Sequence, residues 1–169
     1  MSSAVAPVSP VNTCAYPIRR EEARDAVAVD QLVLAAFGPG RFAKTAERIR
    51  ETAAMTAGFC VYQGEGLIGS VRLWAVQVGE ARSVFLGPIA VDQTRRSGGL
   101  GGELVQACIE EARLQGLDGV LLVGDPPYFS RFGFELAPQV TLAGPVDRRR
   151  IMWLPITDVV PFGVAVPVA

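Results

Sequence analysis

The stretch that decides the fold runs from Val84 to Gly116, VFLGPIAVDQTRRSGGLGGELVQACIEEARLQG. It opens on an apolar run, Val84 to Val91, crosses a polar, glycine-rich segment and passes directly into a helical pattern. There Gly101, Leu104, Val105, Cys108, Ile109 and Ala112 fall on one stripe, while Glu103, Gln106, Glu110 and Arg113 face away. The spacing predicts an amphipathic helix ending near Gly116. Gly119 to Val123 follows as a short apolar strand, bounded by Gly124-Asp125-Pro126-Pro127. A strand, helix, strand order of this kind puts the two strands side by side and parallel in a covered sheet.

Working outward, Phe59–Tyr62, Leu67–Val78 and Val84–Val91 are rich in β-branched and aromatic residues and are separated by glycine-containing turns, which predicts an antiparallel meander. Before it, a strand is expected at Tyr16–Arg19 and a helix at Glu21–Phe37, with Ala26, Val27, Val33, Leu34 and Phe37 as its apolar face and Gly38-Pro39-Gly40 as its stop. A shorter helix is expected around Ala43–Ala54. After the central stretch, Phe134–Leu136, Val140–Leu142 and Ile151–Ile156 supply further strands, including a late hairpin. The fold class is therefore mixed α/β. Residues 1–14 are small and rich in Pro and Ser and read as a flexible tail; 15–169 read as a single domain. The apolar end, Val159–Ala169, is too short to span a membrane and either covers a sheet edge or joins a homodimer interface.

The net charge of −1, from 16 basic and 17 acidic residues, carries no footprint for nucleic acid or an anionic membrane. The chain contains no His, which removes imidazole bases, His-based triads and His-ligated metal sites. Cys14, Cys60 and Cys108 are scattered, so neither a disulfide framework nor a zinc site is indicated, and a reducing cytoplasm is the expected compartment. Cys108 lies on an apolar stripe and reads as a core thiol rather than a nucleophile.

The run Arg95-Arg96-Ser97-Gly98-Gly99-Leu100-Gly101-Gly102 sits between strand and helix. An anion there would meet unpaired helix N-terminal amides, the positive end of the helix dipole and two guanidinium groups. A pyrophosphate fits, and so does an ordinary flexible turn. A Walker A loop is excluded because no Gly-Lys-Ser/Thr occurs. A dinucleotide fingerprint starting at Gly99 would need glycine where Leu104 stands.

Arg96-x-x-Gly99-x-Gly101 resembles the Q/R-x-x-G-x-G/A signature of the GNAT N-acetyltransferases, and it stands in the expected place after an apolar strand. The flanking LGPIAV and the later Val-Gly-Asp-Pro-Pro-Tyr-Phe-Ser-Arg-Phe-Gly-Phe resemble the YhbS-like bacterial branch of that family. The resemblance implies a GNAT fold with a splayed pair of parallel strands and acetyl-CoA as co-substrate, without a metal. It further implies transfer to a primary amine by direct attack. By the same resemblance Ile89, Ala90 and Val91 would pair with the pantetheine arm, Arg96, Ser97, Gly98, Gly99, Leu100, Gly101 and Gly102 would hold the pyrophosphate, and the Ile89 N–H would face the thioester oxygen.

Where the family commonly carries its general-acid Tyr, this chain has Phe129, and the neighbouring Tyr128 is offset by one helical position, about 100°. Tyr128 is a candidate acid or a wall of the coenzyme cleft. Asp125 is placed to relay the amine proton, although an Asp between Gly and Pro is as naturally a turn former. Arg131 either meets a coenzyme phosphate or forms a surface ion pair, and Arg148-Arg149-Arg150 reads as a solvated turn. The alternative is a non-catalytic acyl-CoA-binding module. No motif identifies the acceptor.

Overall fold

The structure, a computed structural model, describes residues 16–40 and 44–169. The expected flexible tail at 1–14 lies outside the described residues. A nine-stranded sheet runs through the chain, and its main path has the order β1-β2-β3-β4-β5-β8-β6. Here β1 is Ile18–Arg20, β2 Met55–Gln63, β3 Gly66–Val78, β4 Ala81–Val91, β5 Gly119–Val123, β6 Glu135–Leu136, β7 Val140–Thr141, β8 Ile151–Pro155 and β9 Gly163–Pro167. The expected meander is β2-β3-β4, antiparallel throughout. β4 and β5 pair in parallel, with the connecting helix α3, Leu100–Leu114, on one face.

Alternation along the strands divides the core between two faces. On β2, Phe59 and Val61 turn toward α3 while Cys60 turns the other way; on β4, Val84 and Leu86 face α3 and Phe85 does not. The α3 side is filled by Leu100, Leu104, Val105, Cys108, Ile109 and Ala112, the stripe read from the sequence apart from Leu100. Each large apolar side chain buried there stabilises the fold by about 2 kcal/mol. That row fixes α3 over the meander and brings its first turn to the end of β4. The opposite face carries α1, Ala26–Phe37, and α2, Thr45–Thr52.

Three details differ from the sequence reading. Helix α1 starts later than Glu21, after a 3-10 turn at Ala23–Asp25, because the Asp25 carboxylate is drawn inward to Arg19, Tyr62 and the Glu22 amide. Its buried positions are Val29 and Val33, whereas Val27, Leu34 and Phe37 are 68%, 46% and 47% exposed. The late hairpin forms between β6 and β8, with Glu135 opposite Trp153, and β7 pairs with β9 instead. The apolar C-terminal segment does cover a sheet edge: β9 adds to β3 at Val76–Val78, beyond the point where β2 stops pairing at Trp74. Among the described residues no helix is long and apolar enough to cross a membrane.

Candidate active site

β4 and β5 are joined only at Ser83–Phe85 against Gly119–Leu121. Beyond that they diverge, and a wedge opens between Leu86–Val91 and Leu122–Gly124. On its other edge β4 stays paired with β3, Ile89 opposite Val71, Ala90 opposite Ser70 and Val91 opposite Gly69. Ile89, Ala90 and Val91 therefore present one strand edge with no strand partner among the described residues, the kind of edge that an extended ligand pairs with. The register of β3 against β4 slips between Val71 and Leu73, at the mouth of the wedge. There the Trp74 indole N–H donates to the Gly87 carbonyl at 2.6 Å, pinning the irregular part of β4.

At the end of β4, Asp92 closes the turn by accepting from the Thr94 amide and hydroxyl, at 3.0 and 2.6 Å. The backbone of Gln93–Gly98 then forms a 3-10 turn, and Gly99 caps α3 with φ +78°. A side chain in that left-handed conformation costs roughly 1–2 kcal/mol, so the turn requires glycine. The amides of Leu100, Gly101 and Gly102 have no helical acceptor, because the α-helical ladder starts at Glu103, whose N–H reaches the Gly99 carbonyl at 3.2 Å. The side chains of Arg96 and Ser97 lie outside the described residues.

The opposite wall comes from α4, Pro126–Phe129, and the 3-10 turn after it. A β-carbon at Gly101 would sit 3.2 Å from the Tyr128 hydroxyl, and one at Gly102 would sit 3.2 Å from the Phe132 ring. Between these walls runs a cleft of about 820 Å3, lined by Ile89, Val91, Gly99, Gly101, Tyr128 and Arg131 among others. The Arg131 guanidinium lies 4.6 Å from the Tyr128 ring centre, and its Nε donates to the Tyr128 carbonyl at 3.2 Å. A cation is thus held at the cleft wall rather than in a surface ion pair.

Phe129 packs inward, its ring against Gly124 and 5.9 Å from that of Phe134. The one-residue offset therefore leaves Tyr128 at the cleft and Phe129 as its floor. Asp125 acts as the turn former: its carbonyl accepts from the Tyr128 and Phe129 amides. Its carboxylate makes no capping bond and borders the wedge.

The wedge holds a second cavity, of about 350 Å3, that shares Phe37, Ile89 and Phe129 with the first. Lys44, Arg50, Asp125 and Arg150 add charged groups to its lining. A third groove, of about 410 Å3, runs between α1, α2 and β3 and includes Val27, Leu34, Arg72 and Trp74. Sequence reasoning read Val27, Leu34 and Phe37 as part of the apolar face of the first helix. In fact they line clefts, and the only signal available was an apolar face on α1 too wide for one contact. Cys108 is fully buried, and burial, with Glu111 nearby, raises its thiol pKa well above the usual range. No group of three potential metal ligands occurs among the described residues.

Residues 23–134 match the acetyltransferase (GNAT) family. Over 123 residues the chain is 37% identical to an uncharacterized N-acetyltransferase of Escherichia coli, YhbS, covering 71% of this chain and 74% of that protein. The crystal structure of the E. coli protein in complex with CoA has a TM-score of 0.76 to this chain, with 29% identity, over 90% of this chain and 89% of the other. A GNAT acetyltransferase from Brucella melitensis, solved with acetyl-CoA, shares the fold with a TM-score of 0.70 and 23% identity, over 91% of this chain and 96% of that one. By sequence and by fold the chain belongs to the GNAT family of acetyltransferases, enzymes of the acyltransferase class.

Proposed function

We propose that this protein binds acetyl-CoA and moves its acetyl group to a primary amine by direct attack. The observation that carries the reading is the continuity of the unpaired edge of Ile89–Val91 with the bare first turn of α3, along one cleft. A pantetheine arm on the strand edge and a pyrophosphate at the helix N-terminus need those two features in that order. The E. coli and Brucella relatives, solved with CoA and acetyl-CoA, support the same donor.

Acetyl-CoA supplies an activated acetyl thioester. The chain positions it and handles the charge. Ile89 lines the wedge, and its N–H is assigned the stabilisation of the oxygen that gains negative charge as the amine adds. The amine loses one proton and the departing thiolate takes one up. Tyr128 carries the one hydroxyl lining the cleft among the described residues and is assigned the proton delivered to sulfur; Asp125, exposed at the end of β5, is assigned the relay of the amine proton to solvent. Holding both reactants in one wedge supplies the proximity that a bimolecular reaction lacks.

Thermal unfolding with acetyl-CoA, CoA, ATP and NAD in parallel tests the donor site, since a ligand of the native state alone raises apparent stability. A rise with the two coenzyme A species but not with ATP or NAD is expected. No rise at saturating acetyl-CoA would remove the central claim.

A further inference from the structure

The cavity in the wedge bears a charge pattern that the donor does not use. On the side away from α3 it is bordered by Lys44, just before α2, and by Arg150, just before β8. Neither makes an ion pair with a carboxylate among the described residues, whereas Arg50, the third cation on this lining, is bound by Glu47 at 3.2 Å. The backbone at both positions is tied to its surroundings. The Thr45 hydroxyl donates to the Pro145 carbonyl, tying the start of α2 to the loop that leads to Arg150. The Asp147 carbonyl accepts from the Arg150 amide at 3.0 Å, and the Arg150 carbonyl accepts from the Gly124 amide at 2.9 Å. The Arg150 Nε donates back to the Gly124 carbonyl at 3.3 Å, which leaves the two terminal guanidinium nitrogens for a ligand.

Two positioned cations beside the reacting centre repel an ammonium group and attract an anion. They also favour the neutral, nucleophilic form of a nearby amine. Asp125 is the one carboxylate on this lining, at the end of β5. From this arrangement we infer that the acceptor is a small amine carrying an anionic group, carboxylate or phosphonate, held by Lys44 and Arg150 while its nitrogen faces the thioester. The inference rests on the donor reading above. Arg150 offers the forked donor geometry that a carboxylate or phosphonate matches, and Lys44 adds a point charge. The cavity volume of about 350 Å3 suits a small molecule.

The experiment compares acceptors with and without that charge at a pH where the free-amine fraction of each is taken into account: alanine against alaninamide, β-alanine against β-alaninamide, and 2-aminoethylphosphonate as the phosphonate arm. Thermal unfolding with acetyl-CoA is measured first, so that failure of the donor site is seen separately as the absence of any rise. With donor binding established, kcat/KM is expected to be at least about tenfold higher for the anionic members than for the amides. Lys44→Gln and Arg150→Gln should each raise KM for the anionic acceptor and bring the acid-to-amide ratio toward one. In the presence of CoA, the anionic amines should raise the unfolding temperature further and the amides should not. Carboxylate and phosphonate arms that differ identify which anion the pair prefers. Equal turnover of acids and amides, preference for amides, or variants that leave the ratio unchanged would overturn the inference. So would a protein that binds acetyl-CoA and acetylates none of the anionic amines.

Discussion

Gly101→Ala separates folding from coenzyme binding, because the two respond with opposite sign. Gly101 lies in the first turn of α3, where alanine is the better helix former by roughly 0.5 kcal/mol or slightly more. The added methyl would stand 3.2 Å from the Tyr128 hydroxyl and 3.9 Å from Val91 Cγ2, contacts that a small shift of the tyrosine relieves. The apo protein should unfold at the same temperature or slightly higher. The methyl also occupies the narrow side of the proposed coenzyme cleft, between α3 and α4. Losing one hydrogen bond from a helix amide to a charged phosphate weakens binding by about 1.5 kcal/mol, or tenfold. At a ligand concentration of about 100 times the parent Kd, the stabilisation should fall from about 2.7 to about 1.4 kcal/mol. For a chain of this length that halves a rise of roughly 8 °C. The control is Gly116→Ala, at φ +68° just past the end of α3 with no atom near its β-position. It should cost about 1 kcal/mol in the apo protein and leave the acetyl-CoA rise intact. An undiminished rise in Gly101→Ala would refute the placement of the pyrophosphate at this turn.

Tyr128→Phe should lower kcat roughly a hundredfold with a small change in KM for acetyl-CoA, as expected on losing a general acid; an unchanged kcat with a raised KM would leave Tyr128 as a cleft wall only. The Asp25 carboxyl is held below the usual carboxylate range chiefly by two hydrogen bonds from Arg19, helped by the Glu22 amide and the Tyr62 hydroxyl and opposed by burial. A depressed folded-state pKa contributes stability that is complete above the unfolded value of about 3.9 and lost as pH falls through the folded one. Asp25→Asn should therefore cost about 2 kcal/mol at neutral pH, less than a fully buried pair because Arg19 is 36% exposed, and flatten the acid limb of an unfolding-temperature profile. The same acid limb in parent and variant would show the network to be inert. Burial pushes the Cys60 thiol up to about 12 and the Cys108 thiol higher still, so in a Cys14→Ser background neither should react with a disulfide reagent at pH 8 until the protein unfolds. Stoichiometric labelling of the folded protein would contradict this.

The elements that frame the proposed donor half, the strand, the glycine turn and the helix, were legible because their requirements are local. A bare helix N-terminus needs glycines in sequence next to an apolar strand and an amphipathic helix, and Leu86–Leu114 spells out all three within one continuous stretch. The parallel pairing of β4 and β5 followed from the strand, helix, strand order alone. What escaped the sequence was set by partners distant in the chain. Asp25, 2% exposed, is buried only because Arg19 and Tyr62 meet it, and Glu111, on the buried face of α3, because Arg20 reaches it from 91 residues away. The strand partners of the last third were open because β6 and β7 are two residues each, too short to show a period.

The acceptor half shows the same limit in sharper form. Lys44 stands alone in sequence, the single lysine of the chain, and Arg150 closes a run of three arginines that has the look of a solvated turn. More than a hundred positions separate them, so no pattern of spacing relates one to the other. Their meeting depends on the Thr45 bond to Pro145 and on the reciprocal bonds between Arg150 and Gly124 at the tip of β5. Phe37 contributes to the same wedge only because α1 is wider in apolar residues than the face it buries: Val29 and Val33 satisfy the core, and the surplus is left to line a cavity. In a fold whose proposed donor cleft lies between Leu86–Leu114 and α4 and whose proposed acceptor wall is assembled from more distant stretches, acceptor preference can change through substitutions at the start of α2 or before β8 that leave the proposed coenzyme site untouched. An exchange of Lys44 and Arg150 for acidic residues is then expected to shift the preference toward cationic amines, read as the ratio of kcat/KM for a diamine to that for β-alanine, with acetyl-CoA stabilisation measured alongside. A ratio that stays where it was would show that the acceptor approaches by another route.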